Sequence, residues 1–155
     1  LAVIIGTGGR HIPEDTAMDH IAFYSILNDG TLTDWADHTS RNVSPGKNFD
    51  SCGAFGPWMV SRDEIADAHA LTILHRINGE EIQNGSTGDM IFSIAQILAY
   101  VSTFTALEPG DVITTGSPGG IRPRREAGIY LKPGDQVEME ISGIGVLANP
   151  VQDED

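Results

Sequence analysis

The chain has 155 residues with 9 Lys and Arg against 22 Asp and Glu, a formal charge of -13, and a field of that sign repels nucleic acid and anionic membrane surfaces, excluding both as main partners. The length suits one domain with a real core. The single cysteine, Cys52, cannot close an internal disulfide, and no apolar run approaches the ~20 residues of a membrane span. We therefore expect a soluble protein of a reducing, cytoplasmic compartment, with Cys52 a small buried residue.

In chain order, the opening run LAVIIG reads as the middle of a strand. Because it starts without methionine, a segment upstream of Leu1 is expected. IPEDTAMDHIA (12–22) has proline and acidic residues in its first turn, which predicts a helix. FYSIL is strand-like and ends in Asn28, Asp29 and Gly30. N-D-G signals a hairpin turn, since these residues tolerate positive φ. The alternative puts Asp29 at the end of a buried strand, facing a pocket and holding a hard cation. VSPGKNFDSCGAFGPW (43–58) sets Lys47 among glycines, prolines and small polar residues near Asp50, Ser51 and Cys52. A lysine there is either a solvated charge or a group aimed by a tight turn.

NGSTGDMIF contributes Ser86 and Thr87, and SIAQILAYVSTF predicts a second helix. Ser93 and Gln96 form its capping box, and Ile94, Ile97, Leu98 and Val101 form a core stripe. LEPGDVI (107–113) and LKPGDQV (131–137) each centre Pro-Gly in a type II turn before an apolar strand. Strands are expected from near Val112 and Val137, the latter with Val137, Met139 and Ile141 on one face and Glu138 and Glu140 on the other. TTGSPGG between them carries Ser117, and Arg122, Arg124 and Arg125 follow in what reads as a solvated loop. Frequent Gly and Pro punctuation argues for many short strands over a helical bundle.

Several motifs fail. AVIIGTGGRH has His11 where a dinucleotide loop needs its third glycine, SPGKNF lacks the upstream glycine and following hydroxyl of a P-loop, and there is no G-x-S-x-G elbow. His11, His20, His38, His69 and His75 show no H-E-x-x-H and no i, i+4 pair, so each reads as a packed, capping or surface residue. What remains is one carboxylate, one ammonium and several hydroxyls in glycine-rich loops. That inventory suits an oxygen-rich anionic ligand beside Mg²⁺ or Ca²⁺.

The succession LAVIIG, LND, DW, PGKNFD, GPW, NGE, DMIF, LEPGDVI, TGSPGG, LKPGD and NPV, from Leu1 to Val151, resembles the catalytic domain of the fumarylacetoacetate hydrolase family. The resemblance implies a mainly β fold with a few short helices (α+β), a mixed β-sandwich roll, over residues 1–155 as one catalytic domain lacking its N-terminal metal-ligand strand and lid. It implies a divalent metal, Mg²⁺ or Mn²⁺ and in some members Ca²⁺, held by three carboxylates, of which Asp29 is one. The other two, a Glu-x-Glu pair, and the general-base histidine with its glutamate would lie upstream of Leu1. Lys47 matches the active-site lysine. Ser51, Thr87 and Ser117 match hydroxyls near substrate or metal-bound water, Ser117 standing where threonine is common. Thr33 and Ala36 replace an arginine and a glutamine frequent on the substrate side.

The implied chemistry is hydrolytic cleavage of a carbon–carbon bond in a small anionic 1,3-diketo or 2-oxo acid, of the acylpyruvate or fumarylacetoacetate kind met in aromatic catabolism, through a metal-bound enolate. Related members decarboxylate, isomerise or tautomerise oxo acids, including the 2-hydroxyhepta-2,4-diene-1,7-dioate isomerase type. A non-catalytic binding or structural relative is the reading from another class. The family also implies a homodimer.

Overall fold

The structure, a computed structural model of the chain, describes residues 1–36, 44–119 and 130–153. Among them the elements run β1 (Ala2–Ile5), β2 (Ile21–Asn28), α1 (Thr33–Ala36), α2 (Ser44–Lys47), β3 (Ala54–Ser61), β4 (Thr72–Ile77), β5 (Glu80–Ser86), α3 (Ile94–Phe104), β6 (Val112–Thr114), β7 (Gln136–Ile141) and β8 (Gly145–Pro150). Arg122, Arg124 and Arg125 lie outside the described residues, as does His38.

The apolar opening run is a strand buried along its whole length, because it has a neighbour on each side. β1 pairs antiparallel with β2 and with β6, and β3 lies outside β2, giving the order β3-β2-β1-β6. The second sheet runs β5-β4-β7-β8, again through antiparallel pairings. Both Pro-Gly turns form as expected. Gly110 (φ 96°) and Gly134 (φ 90°) are left-handed, and Asp111 N and Asp135 N close the turns on Glu108 O and Lys132 O at 3.0 and 3.1 Å.

One core joins the sheets. Val3, Ile5, Tyr24 and Ile26 of the first meet Ile141, Ile144 and Leu147 from the second, with Ile94 and Leu98 of α3 packed into the same cluster. Burial pushes the Tyr24 phenol up from its ordinary value. The indole of Trp58 donates to Ile144 O at 2.7 Å, bolting β3 to the β7–β8 turn. The capping box holds α3: Gln96 N donates to Ser93 Oγ at 3.2 Å, and Ser93 N to Gln96 Oε1 at 3.0 Å.

The helix expected over 12–22 does not form. Only one 3₁₀ turn, Ala17–His20, is helical, and Ile21 already opens β2. Ile21 is instead taken by pairing with Ile5 of β1. The residues before it close three-residue turns, Thr16 N on Pro13 O at 3.2 Å, Ala17 N on Glu14 O at 3.3 Å and Asp19 N on Thr16 O at 3.0 Å, while His20 O receives Gly6 N at 2.8 Å and Thr7 N at 3.2 Å and ties this corner to the end of β1. Nor is N-D-G a tight hairpin. β2 and β3 pair at Asn28↔Ala54, so the chain that departs β2 after Asn28 comes back into β3 at Ala54, beside its point of departure.

Candidate functional site

Antiparallel pairing gathers the candidate residues at one end of the first sheet. Ala2 at the start of β1 faces both Ser25 and Thr114. The end of β2, the end of β6 and the start of β3 therefore all lie toward the side from which β1 enters. Asp29 follows β2 directly, Ser117 follows β6, and Lys47, Ser51 and Cys52 precede β3. With β1 between them, β2 and β6 stand roughly 10 Å apart, twice the usual strand spacing.

On the β2 side, Lys47 Nζ donates to Asp29 Oδ2 in direct contact. The Asp29 side chain is 42% exposed and that of Lys47 29%, so the pair faces solvent from a partly enclosed position. Lys47 ends α2, whose Gly46 O accepts from Leu32 N at 2.8 Å. Trp35 and Phe49 meet edge-on at 5.2 Å and brace the same loop. Ser51 takes the left-handed conformation (φ 57°), turning the chain back toward β3 with its side chain exposed. Cys52 is half-buried, its thiol donating to Lys47 O at 3.3 Å. Gly30 is packed so closely that a Cβ there would lie 1.7 Å from Cys52 O. The lysine's place beside Asp29 thus rests on a backbone contact that only glycine permits.

On the β6 side, Thr115 N and Thr115 Oγ1 both donate to Leu1 O at 3.0 Å, and Gly116 (φ 100°) turns the chain outward. Ser117 is exposed. Thr87 differs. It is 1% exposed, and its hydroxyl accepts from Leu71 N at 2.9 Å and approaches Leu71 O at 3.4 Å. Its oxygen ties the start of β4 to the end of β5, while Asp29, Lys47, Ser51 and Ser117 present their polar groups outward. Thr33 begins α1 in a half-buried position, and the side chain of Ala36 lies outside the described set.

A divalent cation fits the donor chemistry of Asp29, a solvent-facing carboxylate of the hard-oxygen type that Mg²⁺, Mn²⁺ and Ca²⁺ take. Among the described residues no group of three or more His, Cys, Asp or Glu gathers, so Asp29 by itself would supply one carboxylate to such an ion. Two of the described histidines hold other posts: His69 Nε2 accepts from Ile94 N at 3.2 Å at the start of α3, and His20 Nδ1 lies 2.7 Å from Thr7 O. Two residues escaped the sequence reading. Gly30 was read as part of a turn signal. Gln83 lies three residues beyond the NGE stretch, and a glutamine within an alternating strand carries no local sign of what lies across from it.

The motif order has independent support. The family description Fumarylacetoacetate (FAA) hydrolase C-terminal matches residues 1–152. The chain is 41% identical over 152 residues to human mitochondrial oxaloacetate tautomerase, covering 97% of this chain and 48% of that protein. It is similar to the fumarylacetoacetate hydrolase of psychrophilic Exiguobacterium antarcticum, with a TM-score of 0.90, 38% identity, and coverage of 99% of this chain and 55% of that one. It is also similar to fumarylpyruvate hydrolase from Pseudomonas aeruginosa in complex with Mn²⁺ and pyruvate, with a TM-score of 0.86, 28% identity, and coverage of 99% and 64%. The chain spans about half the length of the curated relatives it matches.

Proposed function

The chain belongs to the fumarylacetoacetate hydrolase family, and on that premise we propose that the complete protein is a divalent-metal-dependent hydrolase cleaving a carbon–carbon bond in a small 1,3-diketo or 2-oxo acid. The observation that carries this reading is the Asp29–Lys47 contact at the open end of the sheet. A carboxylate alone would suit any cation, and an ammonium alone any anion. Held together, they suit a cation and an anion that must meet.

Asp29 would hold the metal, Mn²⁺ or Mg²⁺, as one ligand, and the bound cation would supply electrophilic pull on the substrate's carbonyl oxygens. Lys47 places an ammonium beside the same point. As the carbon–carbon bond breaks, negative charge grows on the enolate oxygen, and a fixed ammonium stabilises it more than the neutral ketone it came from. Asp29 keeps that ammonium aimed, and the Gly30–Cys52 contact keeps the two loops in step. Ser51 and Ser117 offer hydroxyls to the substrate's carboxylate from either side of β1, while Thr87 supports the site by holding β4 to β5. The attacking water needs a base, which the resemblance assigns to the segment upstream of Leu1.

The 41% identity to a tautomerase favours a second reading, in which an α-proton is removed, the resulting enolate is reprotonated and no carbon–carbon bond breaks. Metal-loaded full-length protein given an acylpyruvate separates the two. Hydrolysis releases pyruvate and a second acid, measurable by chromatography. Tautomerisation of oxaloacetate changes the enol absorbance and leaves the mass unchanged. Absence of both, with Mn²⁺ and Mg²⁺ supplied, overturns the enzymatic reading in favour of a non-catalytic relative. We also propose a homodimer, and sedimentation as a monomer across micromolar concentrations would defeat it. Among the described residues no helix is long and apolar enough to cross a membrane. The cytoplasm is proposed as the compartment, although the human relative's name is mitochondrial.

A further inference from the structure

We propose that Gln83, backed by His75, is a positioning residue that aims the Gly119 N–H, together with the Ser117 hydroxyl, at the carboxylate of an anionic substrate. The inference rests on the oxo-acid reading above and names a device within that site which lies on the other sheet.

Gln83 is 8% exposed, and its two polar atoms face different partners. The amide Nε2 donates to Pro118 O at 2.7 Å and to Gly119 O at 3.0 Å. The amide Oε1 lies 2.9 Å from Nδ1 of His75, which is also 8% exposed and directly opposite in the β4–β5 register. An amide oxygen can only accept, so Nδ1 carries the proton in this bond and the amide is held with its donors toward the loop. One residue further along the same face, Gly85 leaves room for the loop. A Cβ there would lie 3.0 Å from Pro118 Cβ.

The consequence follows from peptide geometry. The Pro118–Gly119 bond is not among the cis peptides, so its C=O and N–H point in opposite directions. With Pro118 O drawn onto Gln83, the Gly119 N–H is turned away from β5. Ser117, one residue before Pro118, is exposed on the same loop. The loop is thus anchored at its base by Thr115 on Leu1 O and at its tip by Gln83, leaving one N–H and one hydroxyl presented for a carboxylate. A backbone donor is fixed in place only if its peptide plane is fixed, and Gln83 is what fixes this one.

The test uses full-length protein, Mn²⁺, and oxalate as a chelating dicarboxylate probe, with Gln83→Met and Gln83→Glu. Both variants are near-isosteric, and both lack the two donors at neutral pH. Expected are faster hydrogen exchange across residues 115–119, Mn²⁺ affinity within about twofold of wild type, and oxalate affinity and kcat/KM lowered about 10- to 100-fold, mostly through KM. Gly85→Ala keeps the donors and displaces Pro118, so a smaller loss of the same kind is expected from a variant with an intact core. Unchanged oxalate affinity in Gln83→Met, or wild-type behaviour of Gln83→Glu, overturns the inference while leaving the enzymatic reading intact. A wild-type protein that takes no Mn²⁺ overturns the enzymatic reading and the substrate role proposed for Gln83 with it.

Discussion

Asn78–Gly79 and Asn28–Asp29–Gly30 carry similar turn chemistry and have different fates. At Asn78 (φ 54°) and Gly79 (φ 82°) the chain reverses in two left-handed residues between Ile77 and Glu80, which face each other across β4 and β5. This is the primed turn such a pair encodes. The Asn78 side chain then ties the turn to β7, donating to Asp135 Oδ1 at 2.8 Å and accepting from Gln136 N at 2.8 Å. At Gly30 the constraint is space. The glycine is required by the Cys52 carbonyl from the far end of a long excursion, which also carries the Asp29–Lys47 contact. One glycine answers to its own φ, the other to a distant piece of chain.

Substitutions at the two places should separate these roles. The largest effect is expected from Asp29→Asn, which replaces a charged ligand for a hard cation with a neutral amide. Calorimetry should show Mn²⁺ binding lost and turnover lost with it, and wild-type turnover without excess metal would remove Asp29 from the site. Next is Lys47→Met, which should keep fold and Mn²⁺ content but lower kcat by roughly 10²–10³, the ~2.7–4 kcal/mol typical of losing one such stabilising group. Arginine should restore it only in part, since a planar fork does not match a compact ammonium in this turn. Near-wild-type kcat in Lys47→Met would make the lysine a surface charge.

Smaller, and aimed directly at the comparison, is Gly30→Ala. Its Cβ must displace backbone, so a cost near the upper end of overpacking, about 3 kcal/mol, is expected, with kcat reduced even where the protein is folded. Smallest is Gly79→Ala. No atom lies within 4 Å of the added Cβ, and the strain is that of φ alone, about 1 kcal/mol or a Tm drop of about 2–4 °C with unchanged kinetics. Thermal unfolding beside steady-state kinetics reads both. If Gly30→Ala costs no more than Gly79→Ala and turns over normally, the contrast between the two turns collapses.

What the amino-acid sequence determined by itself was whatever is decided within a few residues. The Ser93–Gln96 box starts α3, Pro109–Gly110 and Pro133–Gly134 turn the chain before β6 and β7, and the unbroken apolar run of β1 marks a strand. The motif order that carried the family resemblance is likewise a property of the chain alone. Tertiary structure decided the rest. Residues 12–22 have the residues of a helix's first turn, yet Ile21 pairs with Ile5 of β1 and one 3₁₀ turn is left. Thr87 and Ser117 were matched to the same role, but Thr87 spends its hydroxyl on Leu71 inside the fold while Ser117 faces out. Asp29 and Lys47 meet because antiparallel pairing brings Ala54 back beside Asn28, and Gln83 reaches Pro118 from the other sheet. Caps and turns are short-range bonds that their own residues can announce. Such cross-sheet contacts are made by groups far apart in sequence, whose meeting depends on every pairing between them.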